Sequence, residues 1–474
     1  MKHALFLLSA ALSTAFVTPK AVDSQAVFSV DHVKHAVQDT TRNWWDAILG
    51  SEDFQALADG LEKAVHEARA AVIRHDDVDD GDESDGDHDH DHDHDHDHDH
   101  GKHGKHGRHG HHGDPSKTIY ELISSNKHTK RFAALVDEHK DIKALLEDTK
   151  TNRTLFIPTD RAFERIPDHD KDKKPPAEFI RAILAYSIAP GRWPARRLYF
   201  SHTIPTNLSL SSLGDHPQRI RVSASVITGI HLNFFTKIVA RDFAAKNGII
   251  HAVDFFLLPP PDAGKILQLL PNLFSTYSLG LTTTELGEEL ASERWEGCTV
   301  FAPTNRAFSR LGPRANAFLF SDRGKKFLKA LLKYSIVANE TLYSDAYYRH
   351  KSGDDGDEES DLSVMDYFHA DLPSLLNDQP IGVDIRTWKG WVTILVNGYT
   401  RVAAQDVLAL DGVLQVVDRV LIPPRRRRGR GGFDFGQEED VMEEEEREWE
   451  VEELVERLEP YLDEEGEEEE NRDL

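Results

Sequence analysis

The sequence predicts one structural unit, mixing strands and helices, used twice in tandem and flanked by strongly charged segments. Three observations carry this. The decapeptide Thr154–Phe163 returns as Thr299–Phe308, with seven of ten positions identical. Leu184–Ile188 returns as Leu332–Ile336, and Gly248–Asp254 as Gly412–Asp418, each copy then reaching a Pro-Pro stop at 259–260 or 423–424. The blocks keep their order, which a duplicated module requires and chance similarity does not supply.

Each block has a physical reading. Thr154 to Ile157 is a short β-rich run closed by Pro158, which cannot donate to a ladder; Thr299 to Ala302 and Pro303 repeat it. Thr159 and Thr304 then stand where a helix N-cap belongs, with Ala162-Phe163 and Ala307-Phe308 opening the apolar face. Phe179, Ile180, Ile183, Leu184 and Ile188 recur at helical spacing and predict a buried stripe, as do Phe327, Leu328, Leu331, Leu332 and Ile336. The Gly248 and Gly412 blocks read as turns entering a final strand. The offset between copies is 145 at the first block, 148 at the second and 164 at the third, so copy two carries about 16 extra residues before its last block. The acidic stretch 353–361 falls there and reads as a solvated loop, because loops accept insertions at little cost.

These boundaries divide the 474 residues into a signal peptide (1–18), an amphipathic helical region (22–75), an Asp/His-rich segment (76–114), two repeats (115–261 and 262–424) and a basic linker with an acidic tail (425–474). Residues 76–100 carry a net charge of −14 and residues 433–474 of −19, against −27 for the whole chain. The repeats are therefore close to neutral, and the one basic run, Arg425–Arg428, sits beside an acidic tail that would compete with phosphate. Nucleic acid is not an expected partner.

Met1–Ala15 has a basic start, an apolar core and small residues after it, the pattern of a secretory signal too short to span a bilayer. A luminal or extracellular protein, at most peripheral to a membrane, is expected. The location is the cell wall or another extracellular site, with a vacuolar or other lumen as the alternative. Asn152, Asn207 and Asn339 each open an Asn-x-Ser/Thr triplet, the acceptor for glycosylation on that route. Cys298 is the only cysteine, so each repeat must be stabilised by its core without an intrachain disulfide; the residue itself reads as a small buried apolar group.

The repeated blocks resemble the fasciclin-like domain family. Its first signature, Thr-Val-Phe-Ala-Pro-Thr-Asn-x-Ala-Phe, is reproduced at 299–308 and nearly so at 154–163. Its second, Gly-x-Ile-His-x-Ile-Asp ending in Leu-Pro-Pro, is matched at 248–260 and more loosely at 412–424, where Gln415 replaces His. The resemblance implies an α+β module with a β-sandwich-like core and flanking helices, in an adhesion, matrix or cell-surface protein. The motif residues it selects are Thr154, Pro158, Phe163 and Tyr186 in copy one, and Thr299, Pro303, Phe308 and Tyr334 in copy two. In the family a Tyr-His pair lies between the signatures, in a region linked to integrin binding in animal members. Here the pairs are Tyr186-Ser187 and Tyr334-Ser335, which argues against that interaction and leaves the tyrosines to the core.

The flanks carry their own chemistry. Seven consecutive Asp-His pairs run from Asp87 to His100, and residues 101–113 add five more histidines. Such a composition cannot build a packed core. His88, His90, His92, His94, His96, His98, His100, His103 and His106 are candidate ligands for zinc, nickel or copper, as many interchangeable weak sites and not one tetrahedral centre. The imidazoles would also offset the carboxylates as pH falls through about 6.5. In the N-terminal region, Trp44-Trp45, Ile48, Leu57, Leu61 and Val65 suggest amphipathic helices that could pack on repeat one, bind a partner or form a removable pro-segment. In the tail, Val451, Leu454, Val455, Leu458 and Tyr461-Leu462 form an apolar stripe in a Glu-rich run, a helix that needs a surface to dock on. Arg425–Arg428 reads as a charged linker, with cleavage by a luminal processing protease as the alternative.

No Gly-x-Ser-x-Gly, His-Glu-x-x-His or phosphate-cradling glycine loop occurs, and no catalytic role or required cofactor is expected. The function predicted is non-catalytic: cell adhesion, or wall, matrix or protein interaction, with protein or polysaccharide partners. The alternative is a luminal metal-binding or buffering protein in which the repeats are scaffold.

Overall fold

The computed structural model describes residues 113–164, 176–225, 227–293, 295–349, 358–388, 390–424 and 448–462. The signal peptide, the N-terminal amphipathic region, the Asp-His tract with its candidate metal ligands, and Arg425–Arg428 lie outside the described residues.

The two copies fold alike. In copy one the strands are β1 (Arg153–Pro158), β2 (Ile188–Pro190), β3 (Thr203–Ser209), β4 (Pro217–Ser225), β5 (Gly229–Leu232), β6 (Thr236–Ala245) and β7 (Gly248–Val253). They form one sheet in the order β2-β1-β7-β6-β5-β4-β3. In copy two, β8 (Cys298–Pro303), β9 (Ile336–Ala338), and then, past an inserted sheet, β13 (Tyr367–Pro373), β14 (Pro380–Trp388), β15 (Trp391–Val396), β16 (Thr400–Ala409) and β17 (Gly412–Val417) repeat that order. Among the described strands, only β1/β7 and β8/β17 pair in parallel. The core is one rolled sheet in a near-barrel, where the resemblance implied a sandwich. In copy two the roll brings its ends together: Val337 of β9 bridges to Ser374, just past β13, and Leu375 N–H donates to Ile336 O at 2.9 Å.

The signatures occupy the parallel strand pair of each sheet, next to its β2 or β9 end. Arg153 faces Gly248 in register, and a Cβ on Gly248 would lie 1.8 Å from the Arg153 carbonyl oxygen. At Gly412 it would lie 2.1 Å from that of Cys298. The glycine that opens the second signature is thus fixed by backbone approach, since any side chain would push the paired strands apart. Thr304 caps its helix, accepting from Ala307 N–H at 3.2 Å, and Thr159 stands at the same place before Asp160–Glu164.

The predicted buried stripes need one correction. Helices Ala177–Tyr186 and Lys325–Tyr334 end at the tyrosines, so Ile188 and Ile336 belong to β2 and β9. Both are buried, but as strand residues, after Ser187 and Ser335 end the helix. Ile183 is only half-buried.

The insertion in copy two also differs from the reading as a loop. It builds a three-stranded antiparallel sheet: β10 (Glu340–Leu342), β11 (Ala346–Arg349) and β12 (Glu358–Asp361). The end of the acidic stretch is therefore a strand, register-paired to Ala346–Arg349. The acidic tail folds back on copy two as helix Val451–Leu458. Leu454, Leu458 and Tyr461 enter the copy-two core, and Trp449 N–H donates to Leu311 O at 3.1 Å. Burying each leucine is worth about 1.5–3 kcal/mol, enough to offset like-charge repulsion along the helix.

Candidate functional site at the joint between the repeats

The motif residues are structural. Thr154 Oγ1 donates to Gly191 O and accepts from Trp193 N–H, both at 2.9 Å. Thr299 Oγ1 makes the same two bonds, to Glu340 O and from Leu342 N–H. Each signature threonine thus pins the segment that leaves the sheet edge. Pro158 and Pro303 end their strands, Phe308 is buried, and Phe163 lies half-buried with its edge on Phe256, ring centroids 4.7 Å apart.

Tyr186 and Tyr334 are fully buried. Tyr186 donates to Arg219 O (2.8 Å) and accepts from Asn233 (2.7 Å); Tyr334 donates to Pro380 O (3.1 Å) and accepts from Asn397 (3.0 Å). Burial raises both phenols far above the ordinary range. Ser187 and Ser335 bond back to helix carbonyls, Ile183 O and Leu332 O, and are buried as well. Nothing in the Tyr-Ser positions faces solvent.

His251 and Gln415, which hold the same place in the two copies of the second signature, do the same work. His251 Nε2 donates to Trp193 O (2.8 Å), and Nδ1 accepts from Asp242 N–H (3.3 Å). Gln415 Nε2 donates to Leu342 O (2.9 Å), and Oε1 accepts from Asp406 N–H (3.2 Å). A neutral imidazole and a primary amide each present one donor and one acceptor at similar separation. Cys298 is buried, and burial raises its pKa, so it stays a thiol. Asn152, Asn207 and Asn339 are all exposed. Among the described residues no group of three or more His, Cys, Asp or Glu is arranged to hold a metal. No helix among them is long and apolar enough to cross a membrane.

The concentration of buried charge lies where the repeats meet, and the signatures do not point to it. Arg219 of β4 is buried, its Nη2 3.5 Å from Asp345, between β10 and β11 of the inserted sheet. Arg219 Nε donates to Thr203 Oγ1 (2.6 Å) and Nη1 to Tyr348 Oη (3.0 Å). Asp345 accepts from Thr203 N–H (2.7 Å), from the Thr203 hydroxyl and from His202 N–H (3.3 Å). Burial works against the Arg219 charge, but Asp345 and Tyr348 outweigh it, and the net shift holds the guanidinium protonated. Tyr348 stacks on His216 with ring centroids 4.5 Å apart.

Around this centre, Gln218 donates to Ala409 O, Ser212 to Leu410 O, Arg221 to Gln405 O, and Gly297 N–H to Ser212 O. Leu410, at the β16–β17 turn of copy two, packs in the core of copy one. Asp406 lies buried nearby, its carboxyl raised first by burial and then by the Asp345 charge. The joint is thus continuous with both cores. The sequence signal that could have marked it is the inserted run 343–348, where three tyrosines and an aspartate occur in six residues.

At its rim the joint exposes large aromatics from both copies. Phe200 of copy one is 58% exposed, and Trp388 and Trp391, flanking the β14–β15 turn of copy two, are 63% and 73% exposed. The turn leans on copy one: His202 Nε2 lies 3.1 Å from Gly390 O, and Phe200 touches Gly390 so closely that a Cβ there would lie 2.9 Å from its ring.

A family model described as Fasciclin domain matches residues 127–259 and 272–423. The chain is similar to Aurofusarin biosynthesis cluster protein S of Gibberella zeae, 31% identical over 73% of this chain and 87% of that protein. It is similar to Stabilin-2 of Rattus norvegicus, 25% identical over 48% of this chain but only 16% of that protein, and to human Periostin, 25% over 40% and 19%. The chain thus spans a small part of these animal relatives. A solved FAS1 domain pair from the insect cell adhesion molecule Fasciclin I is matched at 18% identity over 64% of this chain and 95% of that one, with a TM-score of 0.30.

Burial lowers the pKa of His251, and Arg241 adds to this against the opposing Trp193 carbonyl and Asp242. The unfolded chain then takes up a proton near pH 6.5 that the folded chain refuses, so stability is full above that pH and is lost as pH falls through it. The variant His251→Gln, which installs the copy-two solution, should keep its thermal midpoint near neutral pH, less the small loss of stacking on Phe156. It should lose less than the wild type below about pH 6. Parallel decline of both proteins in thermal melts across pH would refute this role for His251.

Proposed function

Because the chain belongs to the Fasciclin domain family, we propose that it is a non-catalytic, adhesion-type interaction protein of the secretory route, holding a protein or polysaccharide partner at a cell surface, wall or matrix. The observation that carries this reading is the rim of the joint. Phe200, Trp388 and Trp391 are large aromatics left open to solvent where two repeats are locked together. Exposed aromatics clustered on a rigid support are the usual anchors of recognition, because they bury much area at little entropic cost. The Gibberella zeae relative is named for a biosynthesis cluster, so enzymes as well as surface polymers belong among the partners tested.

The double variant Trp388→Ser/Trp391→Ser should bind the wall or matrix fraction of the source organism about tenfold more weakly, the loss expected from removing a hot spot. Its thermal midpoint should stay at the wild-type value, since both side chains are exposed. Unchanged binding would remove the rim from the account.

A second reading, divalent-metal binding, is carried by the seven Asp-His pairs at 87–100. Titration calorimetry of zinc and nickel into a peptide of residues 76–113 at neutral pH should show uptake of several ions with weak, similar affinities. No uptake would end this reading.

A further inference from the structure

Copy one carries a basic surface that its own fold leaves unpaired. The segment Gly191–Phe200 holds Arg192, Arg196 and Arg197 exposed around the half-buried Trp193, with the Arg197 guanidinium 3.6 Å from the Trp193 ring centroid. Arg241, exposed on β6, adds a fourth charge close enough to act on His251, which itself bonds to Trp193 O. Among the described residues, no carboxylate lies within ion-pair distance of any of the four. Asp242, next to Arg241 on β6, accepts from Ala195 N–H at 2.8 Å. The patch is held rigid, because Trp193 is pinned through its N–H by Thr154 and through its carbonyl by His251. Exposed Tyr199 and Phe200 continue it toward the joint.

The N-terminal flank meets the fold at this place. Gly113 forms a parallel bridge to Ala244 of β6, two residues from Asp242 and so about 7 Å along the strand from the residue that anchors Ala195. Arg241 and Asp242 stand on the same strand, three and two residues before Ala244. His100 is thirteen residues before Gly113, a reach of about 40 Å at full extension. The segment so tethered, 76–100, carries −14 and no positive side chain.

We propose that the patch of Arg192, Arg196, Arg197 and Arg241 is the docking surface for this chain's own Asp-His tract. Carboxylates of the tract pair with the guanidinium groups, and imidazoles stack on Trp193 and Tyr199. Each exposed pair is weak and screened by salt, but the tether holds the tract at high effective concentration and many carboxylates compete for four sites. The tract therefore covers a surface that would otherwise attract external polyanions. The acidic tail is the poorer occupant, since residues 449–462 are committed to the helices of copy two.

The test is arginine footprinting of the full chain with phenylglyoxal at low salt, read by mass spectrometry, with exposed Arg314 as the internal reference. Arg192, Arg196 and Arg241 should react several-fold more slowly than Arg314. A full-length variant with Asp87, Asp89, Asp91, Asp93, Asp95, Asp97 and Asp99 all changed to Asn should bring them to the reference rate. Equal rates in the wild type would overturn the proposal. So would protection that survives the Asp→Asn changes but is lost on removing residues 463–474, which would assign the surface to the tail. Protection that disappears on dilution would overturn it too, by assigning the occupant to a second copy.

Discussion

The structure depends most on one buried charge pair. Arg219 belongs to copy one and Asp345 to copy two, both are buried, and among the described residues neither has another full opposite charge at ion-pair distance. Taking such a pair out of water costs several kcal/mol per ion, which is repaid only if the remaining donors and acceptors are also satisfied. Here they are. Thr203 spans the pair, donating to Asp345 and accepting from Arg219, while Tyr348 takes a second guanidinium N–H and passes its own proton to Pro217 O. Separating the repeats would strand each charge in a surface shaped for the other. The joint is therefore part of the folded state of each copy.

This explains the asymmetry between two otherwise parallel modules. The additional residues of copy two build the sheet that supplies Asp345, Tyr343 and Tyr348 to the joint. Copy one answers with Arg219 and Arg221 on β4. The duplication provided two equal folds; the insertion made one of them a partner for the other. The same rigid joint presents aromatics from both copies on one rim.

The fold was legible in the sequence because each signature answers a local constraint. Gly248 and Gly412 stand where a Cβ would strike the neighbouring strand, and Thr154 and Thr299 make paired bonds that no apolar residue could replace. Such constraints act within a few residues or across one strand pair, so they recur visibly in both copies. Ile188 and Ile336 were misplaced because an apolar residue just past a helix fits helical spacing as well as strand burial. The joint was hidden for a different reason. Arg219, Asp345 and Arg221 are charged residues separated by more than a hundred positions or placed in an insertion, and sequence alone reads them as solvated. The acidic tail shows both cases: its stripe predicted a helix, but not that Leu311 and the copy-two core would receive it.

The most direct measurement is thermal unfolding of the full chain by calorimetry. The wild type should unfold both repeats in one cooperative transition. Arg219→Met alone, which leaves Asp345 buried and unpaired, should cost about 3–5 kcal/mol and split the transition into two. The double variant Arg219→Met/Asp345→Leu should restore much of that loss. Two independent transitions in the wild type, or a single variant that melts as the wild type does, would contradict the claim that this pair makes one body of two repeats.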